Sequence, residues 1–372
     1  MPDLLKDVYN HQLLYRLACD IQSIYVPFKI EDFLKTTMNE TWDTLELKDR
    51  YYQIAVNLKK YLPENYIEAL DVLNKVVTNY GNSMNGLCFF FPAFVELYGQ
   101  DEMYFAVSME ALATYTEYAS AEFAVRPFLV NDEERMIKQM IAWSMHDNEH
   151  VRRLSSEGCR PALPWAFALS SFKKDPTPIL PILEQLKDDP SLYVRKSVAN
   201  NLNDISKTHP ELVLKLARDW YGKSENTNWV VKHGCRTLLK NGNQKALAIF
   251  GYNDVSSINI QNYTLSESSI SIGNEILISF TISSLTTTKV RLEYAIDFVK
   301  SSGKRNRKIF KISEILLPEK MEKVYRKKHS FTDMSVRKHY PGIHSITLIV
   351  NGREYGTLNF NLKDGIGERK CH

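Results

Sequence analysis

Within the stretch HDNEHVRRLSSEGCRPALPWAF, His146 to Phe167, one carboxylate falls between two guanidinium groups: Arg153, Glu157 and Arg160 recur at i, i+4 and i+7. On a helix this spacing puts all three on one face. A carboxylate so placed can stabilise a developing positive charge, or orient and deprotonate a water. It can equally be a surface ion pair on a solvated face, contributing roughly a few tenths of a kcal/mol. Spacing alone favours the second reading. The opposite stripe, Val151, Leu154, Ser155 and Gly158, is apolar or small and reads as the packed face. Pro161 and Pro164 stop the helix, because proline has no N–H and disfavours helical dihedrals before it. Trp165 follows the stop.

Other carboxylates fall into phase with this face. Upstream, YTEYASAEFAVRPF places Glu122 and Arg126 just before Pro127. Downstream, a repeat emerges from DNEHVRRLSSEG, DPSLYVRKSVANNL and NTNWVVKHGCRTLL, whose Val151-Arg152, Val194-Arg195 and Val231-Lys232 pairs align 43 and then 37 residues apart. Such periods are close to those of HEAT-type helical hairpins, about 40–47 residues. Stacked units of this kind form a curved α-solenoid with a concave surface, along which a recurring basic residue would lay positive charge. Lys196 and His233 stand where Arg153 stands in the first unit. Asn200 and Thr237 replace Glu157, and Asp204 lies four residues beyond Asn200 on nearly the same face.

The remaining elements follow from periodicity. Up to about Phe250 the helical period dominates. After Val255 the pattern alternates, as in SISIGNEILISFTISS and GIHSITLIVNGREYGTLNFNL, with an Asn-Gly hairpin signal in VNGREYG. Seven or so strands over about 110 residues suggest an immunoglobulin-like sandwich. The fold class is therefore α plus a separate all-β domain: an α-solenoid of HEAT-like repeats over 1–253, then a β-sandwich over 254–372. The segment SSGKRNRKIF reads as a hairpin tip loaded with Lys304, Arg305, Arg307 and Lys308. From Ser256 onward there are 19 Lys/Arg against 11 Asp/Glu; the preceding residues hold 28 against 33. A basic tail on a mildly acidic body hints at a polyanion.

Composition excludes several classes. With 44% hydrophobic and 24% charged residues the 372-residue chain is an ordinary globular protein with ample core. No run approaches a membrane span, and the N-terminus lacks the apolar stretch of a signal peptide. The five cysteines are scattered with no C-x-x-C, which points to a reduced, cytosolic protein and away from zinc. No glycine-rich phosphate loop or metalloprotease motif appears, and GNSMNGLCFFF reads as a turn before a buried helix.

SAEFAVRPFL and HVRRLSSEGCRPALPWA, followed by the helical repeat and the β tail, resemble the AlkC-type DNA alkylation-repair glycosylases along essentially the whole chain. The resemblance implies a solenoid cradling duplex DNA, with excision of cationic N3-methylated bases such as 3-methyladenine and 3-methylcytosine while the nucleotide stays stacked. It implies that Glu157 is the central active-site acid, with Glu122 and Asp204 as further acids. It also implies that Trp165 contacts the lesion nucleotide and that Arg153 and Arg160 line the groove. Arg126 and Lys196 join them as expected DNA contacts, and the Lys304–Lys308 tip is a further one on charge alone.

These assignments are chemically coherent. A base methylated at N3 is already a cation and leaves without a general acid, so an oxocarbenium-like sugar and a water remain to be managed, work suited to a carboxylate. No lysine sits within the Glu157 motif to act as an amine nucleophile, so simple hydrolysis without cofactor or metal is expected. The expected protein is a cytosolic, nucleoid-associated monomer acting on alkylated double-stranded DNA. Two other readings stay open: a non-catalytic scaffold that binds protein, and an inactive DNA binder.

Overall fold

The computed structural model describes residues 4–80, 88–252, 255–334 and 338–365. The turn expected over 81–87 and the domain boundary expected at 253–254 therefore lie outside the described residues. Among the described residues sixteen α-helices occupy the first part: α1 (His11–Ile24), α2 (Ile30–Thr37), α3 (Leu47–Tyr61), α4 (Tyr66–Val77), α5 (Phe90–Tyr98), α6 (Phe105–Tyr115), α7 (Val125–Asn131), α8 (Glu133–Trp143), α9 (Glu149–Gly158), α10 (Ser170–Lys174), α11 (Leu180–Leu186), α12 (Leu192–Ile205), α13 (Pro210–Trp220), α14 (Glu225–Gly234), α15 (Arg236–Lys240) and α16 (Gln244–Ile249). Eight strands follow: β1 (Ile258–Leu265), β2 (Ser269–Ser271), β3 (Glu275–Ser284), β4 (Thr288–Val299), β5 (Arg305–Leu317), β6 (Glu322–Ser330), β7 (Gly342–Val350) and β8 (Arg353–Lys363). A helical region followed by an all-β domain is the fold class that periodicity gives.

Packing divides the chain into two compact units, residues 1–209 with 222–234, and residues 210–221 with 235–372. In the first, α9 packs against α8 and α12, and α12 against α14. The Val of each repeat, Val151, Val194 and Val231, is buried. The basic residue beside it does something the repeat did not foretell. Arg152 Nη1 donates to the carbonyls of His146 and Asp147, and Arg195 Nη1 to those of Asp189 and Pro190. In both cases the acceptors lie six and five residues back. The recurring arginine thus satisfies carbonyls of the turn that enters its own helix, and is not laid along an open surface.

In the second unit, one sheet runs β1-β3-β6 and the other β2-β8-β7-β4-β5, antiparallel throughout except for β2 beside β8. Their shared core includes Ile276, Phe280, Leu292, Ile296, Phe298 and Leu348. The Asn-Gly signal forms the β7–β8 turn, with φ of 49° at Asn351 and 76° at Gly352. Glycine is needed at 352 on two counts, since a Cβ there would also lie 2.7 Å from Leu247 Cδ1 of α16. The basic segment is less of a tip than its sequence suggests. The β4–β5 turn closes at Lys304, and Arg305, Arg307 and Lys308 already belong to β5.

Candidate active site

The side chains of α9 are set by its two ends. Asn148 caps the N-terminus by accepting from the His150 N–H at 2.8 Å. At the other end Gly158 allows close approach to α7: a Cβ there would stand 2.5 Å from Val125 Cγ2 and 3.1 Å from Met140 Cε. With Val151, Leu154 and Ser155 buried on one side, the other side is buried too. Glu157 is only 5% exposed, which rules out the solvated-face reading of the Arg153–Glu157–Arg160 stripe.

A line of alternating charge results. Arg153 Nη1 donates to Glu122 Oε2, which also accepts from Ser120, and Arg153 Nη2 lies 3.5 Å from Glu157 Oε1. Arg160 Nη1 donates to the same Glu157 oxygen at 2.6 Å, while its Nε donates to Asp204 Oδ2 at 2.8 Å. Lys207 closes the series on Asp204 Oδ1 at 2.9 Å. Glu122, Glu157 and Asp204, from three separate elements, are thus joined through Arg153 and Arg160. Burial pulls both guanidinium groups down. The carboxylates more than offset this, Glu122 and Glu157 at Arg153 and Glu157 and Asp204 at Arg160, so both arginines stand above their usual value. Arg153 through Nη1 and Arg160 through Nε and Nη1 donate to the acids of the wall, so holding these carboxylates is a role the expected groove contacts did not include.

Arg126 departs further from expectation. It is fully buried and every bond it makes goes to backbone: Nη1 to the carbonyls of Gly158 and Arg160, both at 3.0 Å, and Nε and Nη2 to that of Phe167. Burial lowers it to about 10, so it remains charged at neutral pH. With no surface to offer, it cannot bind phosphate. It secures the non-helical strap from Cys159 to Leu169 that carries Trp165. The Cys159 thiol, pushed up to about 12 by burial, offers no thiolate.

Trp165 itself is 74% exposed and has φ of 64°. A bulky residue in the left-handed region is unusual and persists only where its surroundings impose it. It borders a cleft of about 540 Å³ whose walls include Leu4, Leu5, Leu47 and Lys48. Lys196 is exposed on α12. On the sandwich, Arg305 bonds Ser345 and the Ile343 carbonyl, and Arg307 pairs with Glu354. Lys308 lines a cavity of about 240 Å³ with Lys300, Asn306 and Lys338. Lys304, Arg305 and Arg307 are exposed and Lys308 half-buried, but Arg305 and Arg307 are held by these bonds, so the four residues do not form a single free cluster.

Three side chains at the wall escaped sequence reasoning. Tyr193 of α12 lies under the Arg153 guanidinium, 5.2 Å from carbon to ring centroid. Phe123 and Lys48 face each other, with the ammonium 3.9 Å from the ring centroid. Phe123 stood in plain view beside Glu122; nothing in the sequence around Lys48 points to it. Among the described residues no group of three or more His, Cys, Asp or Glu side chains converges as a metal site, and no helix is long and apolar enough to cross a membrane.

Residues 116–238 match the model of the DNA alkylation repair enzyme family, and residues 259–364 match that of the "Uncharacterised protein YhaZ, C-terminal Ig-like domain". The "Uncharacterized protein YhaZ" of Bacillus subtilis (strain 168) is 47% identical over 358 residues, covering 96% of this chain and 99% of its own. The solved structure of the Pseudomonas fluorescens alkylpurine DNA glycosylase AlkC, bound to DNA containing an abasic site analog, superposes with a TM-score of 0.92 at 38% identity, over 97% of this chain and 100% of that one. The chain belongs to the AlkC-type DNA alkylation-repair glycosylases. In this AlkC-type chain the matched repair segment, 116–238, contains Glu122, Arg153, Glu157, Arg160, Trp165 and Asp204, whereas Lys48 lies outside it.

Proposed function

We propose that the protein is a monofunctional DNA glycosylase that hydrolyses the N-glycosidic bond of cationic N3-methylated bases, 3-methyladenine and 3-methylcytosine, in duplex DNA without flipping the base, and leaves an abasic site. The observation that carries this reading is the Glu157 carboxylate, buried yet ionically tethered through one oxygen. Arg160 donates to Oε1 and Arg153 pairs with the same oxygen at 3.5 Å, and we assign Oε2 to the reacting sugar and water. As the C1′–N bond breaks, its electron pair neutralises the departing cationic base and C1′ becomes oxocarbenium-like. Glu157 stabilises that charge and accepts a proton from the water that adds to C1′. Preorganisation is the gain: carboxylates already fixed by arginines need not reorganise when positive charge develops.

The other acids differ in what they have left. Both oxygens of Asp204 are occupied, by Arg160 and Lys207, and it serves to fix Arg160. Glu122 does the same for Arg153. Trp165 presents an exposed indole to the cationic nucleotide, a contact of about 0.5–2 kcal/mol. Duplex DNA is the partner and no cofactor takes part. The sandwich contributes DNA contacts through Lys304 and Lys308, and Lys196 contributes one from α12.

Base release from methylated duplex DNA tests this, comparing wild type with Glu157→Gln at matched DNA affinity. The reading requires free 3-methyladenine and an intact abasic strand with wild type, and bound but unprocessed DNA with the variant. Release no faster than the spontaneous rate would remove the enzyme reading. Affinity that falls steeply with salt would then mark an inactive DNA binder, because phosphate contacts release counterions, and weak, salt-insensitive binding a scaffold.

A further inference from the structure

Lys48 lies 117 residues before Trp165, yet its ammonium donates to the Trp165 carbonyl. The same ammonium rests against the face of the Phe123 ring, next to Glu122, and feels the carboxylates of Glu96 and Glu122. It therefore touches both sides of the candidate site, the strap with its exposed indole and the turn with an acid. The strap needs holding at this point. Arg126 secures it from inside through the Phe167, Gly158 and Arg160 carbonyls, but Trp165 keeps a left-handed backbone that its bulk disfavours.

Could the lysine instead serve as a phosphate contact? Its ammonium is engaged by a carbonyl and an aromatic face within the field of two carboxylates, so a phosphate would meet like charge from Glu96 and Glu122. An amine nucleophile for strand cleavage would likewise have to give up the Trp165 carbonyl first.

We propose that Lys48 is a positioning residue for the reaction: by tying the Trp165 carbonyl to the Phe123 ring, it fixes the indole relative to the Glu122 turn and sets which cationic bases the site accepts. This inference rests on the glycosylase reading. Its test uses the full-length protein with Lys48→Met, Lys48→Gln and Lys48→Arg, measuring single-turnover release of 3-methyladenine and 3-methylcytosine, and the salt dependence of binding to unmodified duplex.

Lys48→Met is expected to slow release by about 10–100-fold, the usual consequence of a misplacement of an ångström or so, with binding to unmodified DNA and its salt slope unchanged. The ratio of the two substrates' rates should move as well. Lys48→Gln, which can still donate to the carbonyl, and Lys48→Arg should each recover part of the rate. Full activity in Lys48→Met would overturn the proposal. So would weaker binding to unmodified DNA with a salt slope smaller by about one, which is the mark of a phosphate contact. A wild type that releases no base speaks instead against the glycosylase reading.

Discussion

The wall around Glu157 and the buried charge cluster of the sandwich use the same parts. In the sandwich, Arg291 donates to Glu293 Oε1 at 2.5 Å and to Glu314 Oε1 at 2.6 Å, with Glu293 almost fully buried. There the geometry comes free with the sheet. Arg291 and Glu314 are cross-strand partners on β4 and β5, and Glu293 is two residues along the same strand, hence on the same face. At the wall, Arg153 and Arg160 reach acids 31 and 44 residues away, on a turn and on another helix. Burying charge needs partners but does not need them from so far. A fold that merely had to neutralise Arg160 could have done so within α9. Long-range convergence of three acids on two arginines is what the local cluster of the sandwich lacks.

The comparison can be broken at the arginines first. Arg160→Met and Arg291→Met each take one guanidinium from two carboxylates, and each should cost its own unit at most about 3–5 kcal/mol of unfolding free energy in denaturant titrations, since Arg153, Lys207 and Lys311 keep part of the pairing. Only the first should also abolish base release; equal loss of activity in both would erase the distinction. Next comes Glu157→Gln against Glu293→Gln. The former should lower the rate by at least about 100-fold, the scale of a lost transition-state charge contact, and the latter should leave it within twofold of wild type. Gly158→Ala sharpens the geometric side. Its Cβ must displace branched Val125, so a loss of about 1–3 kcal/mol is expected in thermal or chemical melts.

The smallest effect concerns Glu96, an acid outside the line of charge. Burial holds its carboxyl above the usual value, against the hydrogen bond from Tyr52 and the charge of Lys48. A carboxyl raised in the folded state costs stability once the unfolded chain would ionise. The penalty is absent below about pH 4, grows as pH passes the usual glutamate value, and is complete above the raised one. Glu96→Gln should therefore melt slightly higher than wild type at pH 7 and together with it below pH 4. A variant less stable at both values would show that the Tyr52 bond outweighs burial.

Much of this was legible in the chain. The helical phase of Arg153, Glu157 and Arg160, the appearance of Asp204 on nearly the same face of a repeat, and the Asn-Gly turn all follow from local spacing, and local spacing is what sequence displays. What it does not display is direction. Arg126 and Arg152 are as basic as any DNA contact, yet both are turned onto carbonyls, because backbone left without helix or sheet partners must find donors somewhere. Lys48 was invisible for another reason: its partners are a carbonyl and a ring far along the chain, which no pattern of residue types encodes. The left-handed backbone at Trp165 was hidden likewise, since glycine and asparagine advertise that conformation and tryptophan does not.

Arg126 has one further consequence. Its guanidinium is a rigid plane with donors at fixed angles, and it meets the carbonyls of Gly158, Arg160 and Phe167 together. That makes it a length gauge. A residue inserted or deleted between Arg160 and Phe167 would carry one carbonyl past its donor, whereas substitutions within the interval leave the spacing intact. The strap should therefore diversify by exchange of side chains at constant length. Anyone grafting the Glu157 wall and its tryptophan onto another helical scaffold would have to transplant the gauge with them.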